Sequence, residues 1–254
     1  MNLVDSHAHL TSPDVISRLD GIIERSQAAR IQRIINICTD PQTLDAGLAL
    51  EKKHPWIRTA GSTTPHDVEK EGKSCFDIFA SSARARQLVA IGETGLDYYY
   101  QHSNQSVQQE YLIRYLHLAK ECHLPVIFHC RDAFDDLFAI ADREYQSSNA
   151  VLHCFTGTME DAKRGLDRGW MISFSGILTF KKSASLRVVA RRVPMDHILI
   201  ETDTPYLAPQ SKRGQPNEPS FIVETAACLS DVKGVSIEEI ARATSENAGR
   251  LFKI

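Results

Sequence analysis

Short apolar runs recur along the whole chain and are separated by longer segments of mixed polarity. The runs are rich in Val, Ile and Leu and lack the apolar-polar alternation of a half-exposed strand. Such runs are typical of parallel strands that are buried on both faces. We therefore predict eight strands, which begin at Leu3 and continue with residues 31–38, 56–60, 88–91, 125–128, 150–152, 170–173 and 198–200.

The segments between these runs carry apolar residues at helical spacing or begin with residues that favour a helix start. Ser106 with Gln109, and Ser236 with Glu239, match the capping box that opens many helices. The predicted helices cover residues 15–30, 40–53, 75–86, 106–122, 132–145, 158–168, 185–192 and 221–230, and a last helix begins at 236.

The alternation of strands and helices predicts an α/β protein with a (β/α)8 TIM barrel, which forms a single domain over residues 1–254. The alternative is an open doubly wound sheet, which usually has a glycine-rich phosphate loop after its first strand. This chain has His7-Ala8-His9 at that place. The barrel is therefore favoured.

Composition is that of an ordinary globular protein, with 43% hydrophobic and 24% charged residues. A net charge of −3 does not favour a protein that coats nucleic acid through a broad basic face, so a nucleic-acid substrate would bind at a local site. The six cysteines form no Cys-x-x-Cys pair, which excludes a zinc knuckle or dithiol motif. No apolar stretch approaches the roughly 20 residues that span a bilayer. We expect a cytoplasmic monomer with no membrane association and no obligate protein partner.

Candidate metal ligands stand at the end of five predicted strands. In a TIM barrel these strand ends meet at one mouth, where catalytic residues lie. Each residue alone could be a hydrogen-bonded side chain, but six together predict a site for two divalent ions, Mg²⁺, Mn²⁺ or Zn²⁺. We expect Glu93 to bridge the ions. The other expected ligands are His7, His9 and Asp203 for one ion and His129 and His153 for the other.

The expected chemistry is hydrolysis by a metal-activated water. Asp203 is placed to accept the proton of that water, and Glu93 supports catalysis as the bridging ligand. Glu201 lies two residues before Asp203 and would point the same way, as a second base or as a group that orients a ligand. An ion pair inside the barrel is the alternative interpretation of Glu201.

Cationic side chains around the expected mouth favour an anionic substrate such as a phosphodiester. Aromatic residues in the same loops could stack on nucleobases or could pack within the loops. The cations are Arg131, Lys181, Lys182, Lys212 and Arg213, and the aromatic residues are Tyr98, Tyr99, Tyr100, Phe155 and Tyr206.

Several stretches, in order along nearly the whole chain, resemble the TatD family of metal-dependent deoxyribonucleases. They begin at Asp5, Gly92, His129, His153, Phe174, Glu201 and Asn247 and read DSHAHL, GETGLDY, HCRDA, HCFTG, FSGI, ETDTPYLAP and NAGRLF. The resemblance implies a barrel hydrolase whose divalent metal centre uses the same six ligands. It also implies Mg²⁺-supported cleavage of DNA, commonly from the 3′ end.

One stretch departs from the family pattern. The family usually has Gly-x-His-Pro-His after its third strand, whereas Thr64 stands here where the first His is expected, and His66 remains. Residues 213–219 fit the family pattern Arg-Gly-x-x-Asn-x-Pro. The resemblance therefore implies substrate contacts by His66, Arg213 and Asn217, in addition to Arg131.

Three functions remain open from the sequence. The leading one is a phosphodiesterase that acts on single-stranded DNA or on 3′ ends. The second is hydrolysis of a small-molecule amide, ester or lactone, although binuclear amidohydrolases often bridge their metals with a modified lysine on strand four, where this chain has Glu93. The third is a metal-binding protein without catalytic activity.

Overall fold

Eight parallel strands follow one another around a single sheet in the computed structural model, which describes residues 2–254. The end of the first strand meets the segment after the last strand at an isolated bridge between Ala8 and Thr204, so the sheet is a nearly closed barrel. The predicted (β/α)8 TIM barrel is thus confirmed. The strands are β1 Leu3–Ala8, β2 Ile31–Cys38, β3 Ile57–Gly61, β4 Ile91–Asp97, β5 Val126–Arg131, β6 Ala150–Leu152, β7 Met171–Phe174 and β8 Ile198–Ile200.

Helices connect the strands and surround the barrel. Thr158 forms a capping box with Asp161, and the Ser236 hydroxyl accepts a hydrogen bond from the backbone of Glu239. Over residues 2–254, no helix has the length and apolar character needed to cross a membrane. The helices are α1 Pro13–Ile16, α2 Leu19–Ala28, α3 Pro41–Lys53, α4 Val68–Arg84, α5 Gln105–Cys122, α6 Phe134–Glu144, α7 Met159–Asp167, α8 Ala184–Arg192, α9 Ile222–Lys233 and α10 Ile237–Phe252.

Two apolar layers hold these elements together. The larger one lies between the sheet and the outer helices and contains Phe79, Phe128 and Trp170. The smaller one fills the barrel near the amino-terminal ends of the strands, where Leu251 and Phe252 of α10 pack against the interior. The amino-terminal end is therefore closed by α10, which leaves the carboxyl ends of the strands as the accessible mouth.

Three helix predictions were wrong in detail. The predicted helix 15–30 is broken at Arg18, whose φ of −114° and ψ of 4° lie outside helical values, although the apolar spacing continues across the turn. The expected capping box at Ser106 is absent, because α5 begins at Gln105. Helix α4 begins at Val68, seven residues before the predicted start at 75, and Gly72 in its first half packs closely against the ring of Tyr111.

The fourth strand lies further along the chain than the predicted residues 88–91. Gly92 and Gly95 both have a φ of +149°, a conformation that L side chains rarely adopt. A Cβ on Gly95 would lie 1.9 Å from the backbone oxygen of His129 on β5, so only glycine permits this approach of the two strands. The glycines, which usually indicate the end of a strand, here keep Glu93 and Asp97 within β4.

The close approach of β4 and β5 predicts a large cost for a methyl group at Gly95. We expect Gly95→Ala to lower the free energy of unfolding by roughly 2 to 4 kcal/mol, because backbone conformation and strand spacing must both change. Gly249→Ala in α10 is the matched control, since its Cβ would meet only the backbone oxygen of Ile254, at an ordinary distance of 3.6 Å. We expect it to raise stability by up to about 1 kcal/mol. Urea unfolding followed by circular dichroism measures both changes, and equal midpoints would contradict this account of β4.

Candidate metal centre

The six predicted ligands meet at the carboxyl end of the barrel. His7 lies on β1, Glu93 on β4 and His129 on β5, so these three belong to strands rather than to the loops after them. The remaining three lie in the segments after strands: His9 and His153 follow β1 and β6 directly, and Asp203 lies three residues after β8. Five of the six residues are buried and His129 is half-buried.

One half of the cluster joins β1 to β8. Nε2 of His7 lies 3.2 Å from Nε2 of His9, and each of these nitrogens lies 3.6 Å from Oδ1 of Asp203. Oε1 of Glu93 is 3.4 Å from the same nitrogen of His9. Donor atoms of His7, His9 and Glu93 therefore lie close enough to share one ion, and Asp203 lies against both of these histidines.

The other half of the cluster joins β4, β5 and β6. Oε2 of Glu93 lies 2.9 Å from Nε2 of His153 and 3.2 Å from Nδ1 of His129. The two nitrogens are 3.3 Å apart. Because the two oxygens of Glu93 face different sets of donors, its carboxylate has the geometry that a bridging ligand requires.

The chemistry of these donors fits divalent cations. Ligand atoms about 2.0 to 2.2 Å from a shared ion lie roughly 3 to 3.5 Å from one another. The donor distances in the cluster, from 2.9 to 3.6 Å, are close to this spacing. Within residues 2–254, neither Glu93 nor Asp203 has a lysine or arginine ion-pair partner. A bound cation would supply the missing positive charge. Nitrogen and carboxylate donors suit Zn²⁺ and Mn²⁺ and tolerate Mg²⁺.

The pKa values of the cluster shift in both directions. Burial opposes protonation of His9, His129 and His153, but the carboxylates beside them raise their pKa values. The pKa values of His7 and Glu93 shift in the direction that metal binding needs. Burial lowers the pKa of His7 well below its ordinary value, with the neighbouring His153 acting in the same direction, so His7 is neutral. Burial opposes ionisation of Glu93, but the charges and hydrogen bonds of His153 and His129 hold its pKa well below its ordinary value. A neutral imidazole beside an ionised carboxylate is a competent pair of metal ligands.

Asp97 is an important residue that the sequence prediction missed. It is buried on β4, and its Oδ2 lies 2.9 Å from Nε2 of His129. Burial opposes its ionisation, but the hydrogen bond with His129 prevails and lowers the pKa of Asp97 to about 2. A carboxylate on the far nitrogen of a ligating histidine fixes the ring, and here it turns Nδ1 of His129 toward Glu93. The position of Asp97 two residues after Gly95 was the sequence signal that could have identified it.

Glu201 has the same relation to His153. Its Oε1 lies 3.2 Å from Nδ1 of His153 and accepts a hydrogen bond from the backbone of Cys154 at 2.7 Å, while its Oε2 accepts one from Ser173. Glu201 is fully buried. The expectation of a second base is therefore not supported, because no carboxylate oxygen reaches the mouth; the geometry fits the orienting role.

The loop after β8 is held by residues outside the predicted ligand set. Asp5 accepts hydrogen bonds from the backbone and hydroxyl of Thr202, and burial raises the pKa of Asp5 to about 7. Asn217 is fully buried and donates from its amide to the carbonyls of Thr202 and Tyr206, at 2.7 Å each. The expected substrate contact by Asn217 is therefore corrected: its amide supports the backbone on both sides of Asp203.

The other predicted substrate residues lie at different places around the mouth. Nε2 of His66 is 3.7 Å from Oδ2 of Asp97, so this ring stands beside the cluster. The exposed Arg213 stacks over Phe180 at 4.6 Å, on the side of β7 and β8. Thr64, which replaces the expected histidine, is buried and donates to the carboxylate of Asp67. Among these residues, His66 comes nearest to the cluster.

Arg131 is the last residue of β5 and lies two residues after His129, a member of the cluster. The carbon of its guanidinium stands 3.8 Å from the ring centre of Tyr99 and 4.8 Å from that of Tyr100. Within residues 2–254 the guanidinium makes no ion pair. Its charge is therefore available to an anion.

Comparison with known proteins gives a consistent family. The model of the TatD-related DNase family matches residues 4–253. The metal-dependent hydrolase YcfH of Escherichia coli K12 is 38% identical, over 100% of this chain and 97% of its own length. A protein of Citrobacter rodentium named 3′-5′ ssDNA/RNA exonuclease TatD is 30% identical, over 99% of this chain and 98% of its own length.

A solved structure agrees with these sequences. The crystal structure of YjjV, a TatD homologue from Escherichia coli K12, has a TM-score of 0.94 and 28% identity to this chain. The similarity covers 99% of this chain and 98% of that one. The chain therefore belongs to the TatD family of metal-dependent hydrolases.

Proposed function

We propose that this protein hydrolyses phosphodiester bonds of DNA and shortens single strands from the 3′ end, with two divalent metal ions in the candidate centre. The observation that carries the proposal is the free guanidinium of Arg131, which stands two residues beyond the candidate ligand His129. A cation with unused donors beside a metal centre suits a phosphate. The name of the Citrobacter rodentium relative supports the same substrate.

The proposed roles follow from the geometry of the side chains. One ion would be held by His7, His9 and Asp203, and the other by His129 and His153. Glu93 would contact both ions. Ions bound there supply acidification of a water molecule and neutralisation of charge on the phosphodiester.

Asp203 is the proposed acceptor of the proton from the attacking water. Its carboxylate is 12% exposed and belongs to the mouth, whereas that of Glu201 is 0% exposed. The backbone N–H of Asp203 donates to the carbonyl of His7 at 2.9 Å, which fixes the carboxylate relative to β1. Asp203 therefore combines access to water with a defined position.

Orientation of the ligands is the proposed role of two buried carboxylates. Asp97 would hold His129 with its Nδ1 toward the centre, and Glu201 would hold His153 with its Nε2 toward the centre. Arg131 and His66 would contact the DNA backbone on the side of β3 to β5, and Arg213 on the side of β7 and β8.

The first test is cleavage of a 3′-labelled single-stranded DNA by protein stripped with EDTA. We expect stepwise shortening only after Mg²⁺, Mn²⁺ or Zn²⁺ is added. Asp203→Asn should lower the rate at least about 100-fold, because a general base is lost. Asp20→Asn, at an exposed position of α2, is the control and should leave the rate unchanged. Wild-type protein that leaves DNA intact with every metal, but cleaves lactones, esters or amides, would contradict the proposal.

The second test addresses the bridging role of Glu93. Titration of metal-free protein with Mn²⁺ in a calorimeter should show two ions per chain. Glu93→Gln should weaken binding of both ions at least about 100-fold, since loss of an orienting group alone costs 10- to 100-fold. Glu246→Gln on α10 keeps the full site and is the control. If Glu93→Gln weakened only one of the two ions, the bridging assignment would be wrong.

A further inference from the structure

Exposed tyrosines are concentrated at the mouth of the barrel. Among residues 2–254 three tyrosines are strongly exposed, and all three lie in loops at the carboxyl ends of strands: Tyr99, Tyr100 and Tyr206. Tyr99 and Tyr100 are adjacent after β4, with about half of each side chain exposed. Large aromatic rings left in water beside a candidate active site require an explanation, because burial would stabilise them.

The backbone under these two tyrosines is fixed to the metal centre. Oδ1 of Asp97 accepts hydrogen bonds from the backbone N–H groups of Tyr99 and Tyr100, at 3.0 and 2.8 Å. The other oxygen of the same carboxylate is the one that holds His129. One buried side chain thus sets the position of both rings relative to a proposed metal ligand.

Further hydrogen bonds stiffen this turn. The side chain of Gln108 accepts from the backbone of Asp97 and donates to the carbonyls of Asp97 and Ser103. The hydroxyl of Ser103 in turn donates to the carbonyl of His66 at 2.7 Å. The exposed rings therefore stand on a rigid base, which suits a binding surface because little ordering remains to be done when a ligand binds.

The rings and the neighbouring cation form one surface. The guanidinium of Arg131 lies over Tyr99, and Tyr99 and Tyr100 meet edge to face with their ring centres 4.9 Å apart. The ring of His66 lies 5.7 Å from that of Tyr100 and 5.4 Å from that of His129. The surface therefore reaches the metal centre through a single intervening ring.

We infer that Tyr99, Tyr100 and Arg131 form a subsite for one unpaired nucleotide of the DNA strand, next to the phosphate that is cleaved. The base stacks on one of the two tyrosine rings, since the rings are perpendicular and a single base can lie parallel to only one of them, and the guanidinium binds the phosphate of the same nucleotide. This inference rests on the proposed function and adds to it the reason for a preference for single strands. Bases of a duplex already stack on one another and pair across the helix, so their faces are not free to stack on these rings.

The test compares two paired substitutions. Tyr99→Ala with Tyr100→Ala removes both rings, whereas Tyr99→Phe with Tyr100→Phe keeps them and loses only the hydroxyls. Both variants keep the backbone N–H groups of residues 99 and 100 that donate to Asp97. Val188→Ala, at an exposed position on α8, is the control for a surface substitution away from the mouth. Metal content and circular dichroism show whether each variant keeps its fold and its centre.

The measurement is the affinity of the metal-loaded proteins for a phosphorothioate oligothymidylate that resists hydrolysis. We expect the alanine pair to bind about 5- to 150-fold more weakly, and the phenylalanine pair and Val188→Ala to bind like the wild type. The same proteins are then measured with an abasic sugar at each of the last three positions in turn. At one of these positions the abasic strand should bind the wild type weakly, and the alanine pair should add no further loss.

Two results would overturn the subsite. One is equal binding of the alanine pair and the wild type. The other is that the alanine pair weakens the affinity for every abasic strand by the same factor as for the intact strand. That result would mean that no base contacts the rings. Both can be observed whether or not the protein cleaves DNA. Failure of the subsite is therefore distinguishable from failure of the proposed function, which is judged by cleavage of natural DNA.

Discussion

The carboxylate of Glu93 is the group on which the site depends. It is buried among four histidines, with one oxygen toward His9 and the other toward His129 and His153. A buried carboxylate without a lysine or arginine partner requires positive charge close by. Divalent ions meet this requirement for both oxygens. Its place depends in turn on Gly95, which lets β4 approach β5 until the two oxygens stand between two sets of donors.

Buried side chains that contact the candidate ligands link the metal centre to the surfaces that would receive a substrate. Asp97 holds a ligand with one oxygen and the backbone of the exposed tyrosines with the other. On the opposite side, Asn217 and Asp5 hold the loop that carries Asp203. Positions of ligand and substrate groups are therefore set by shared buried side chains, so a substitution in this layer changes both metal binding and substrate binding.

The meeting of the six candidate ligands was predictable because parallel strands in a barrel bring their carboxyl ends to one place, whatever the details of packing. The supporting residues were predictable only in part. Asp97 became recognisable only once Gly95 was seen to continue β4 through a conformation that depends on the neighbouring strand. The sequence left Glu201 open between a base and an orienting group and favoured a substrate contact for Asn217, and only their complete burial shows that both support other groups. Sequence patterns specify which residues meet, whereas burial decides which of them are exposed at the mouth of the barrel.

The most direct test of the metal centre is anomalous diffraction from crystals of the protein grown with Mn²⁺. The account predicts two anomalous peaks on opposite sides of the Glu93 carboxylate. One should lie among His7, His9 and Asp203, and the other should contact His129 and His153. No peak at the mouth, or a single peak that Glu93 does not contact, would contradict the central claim that this carboxylate bridges two ions.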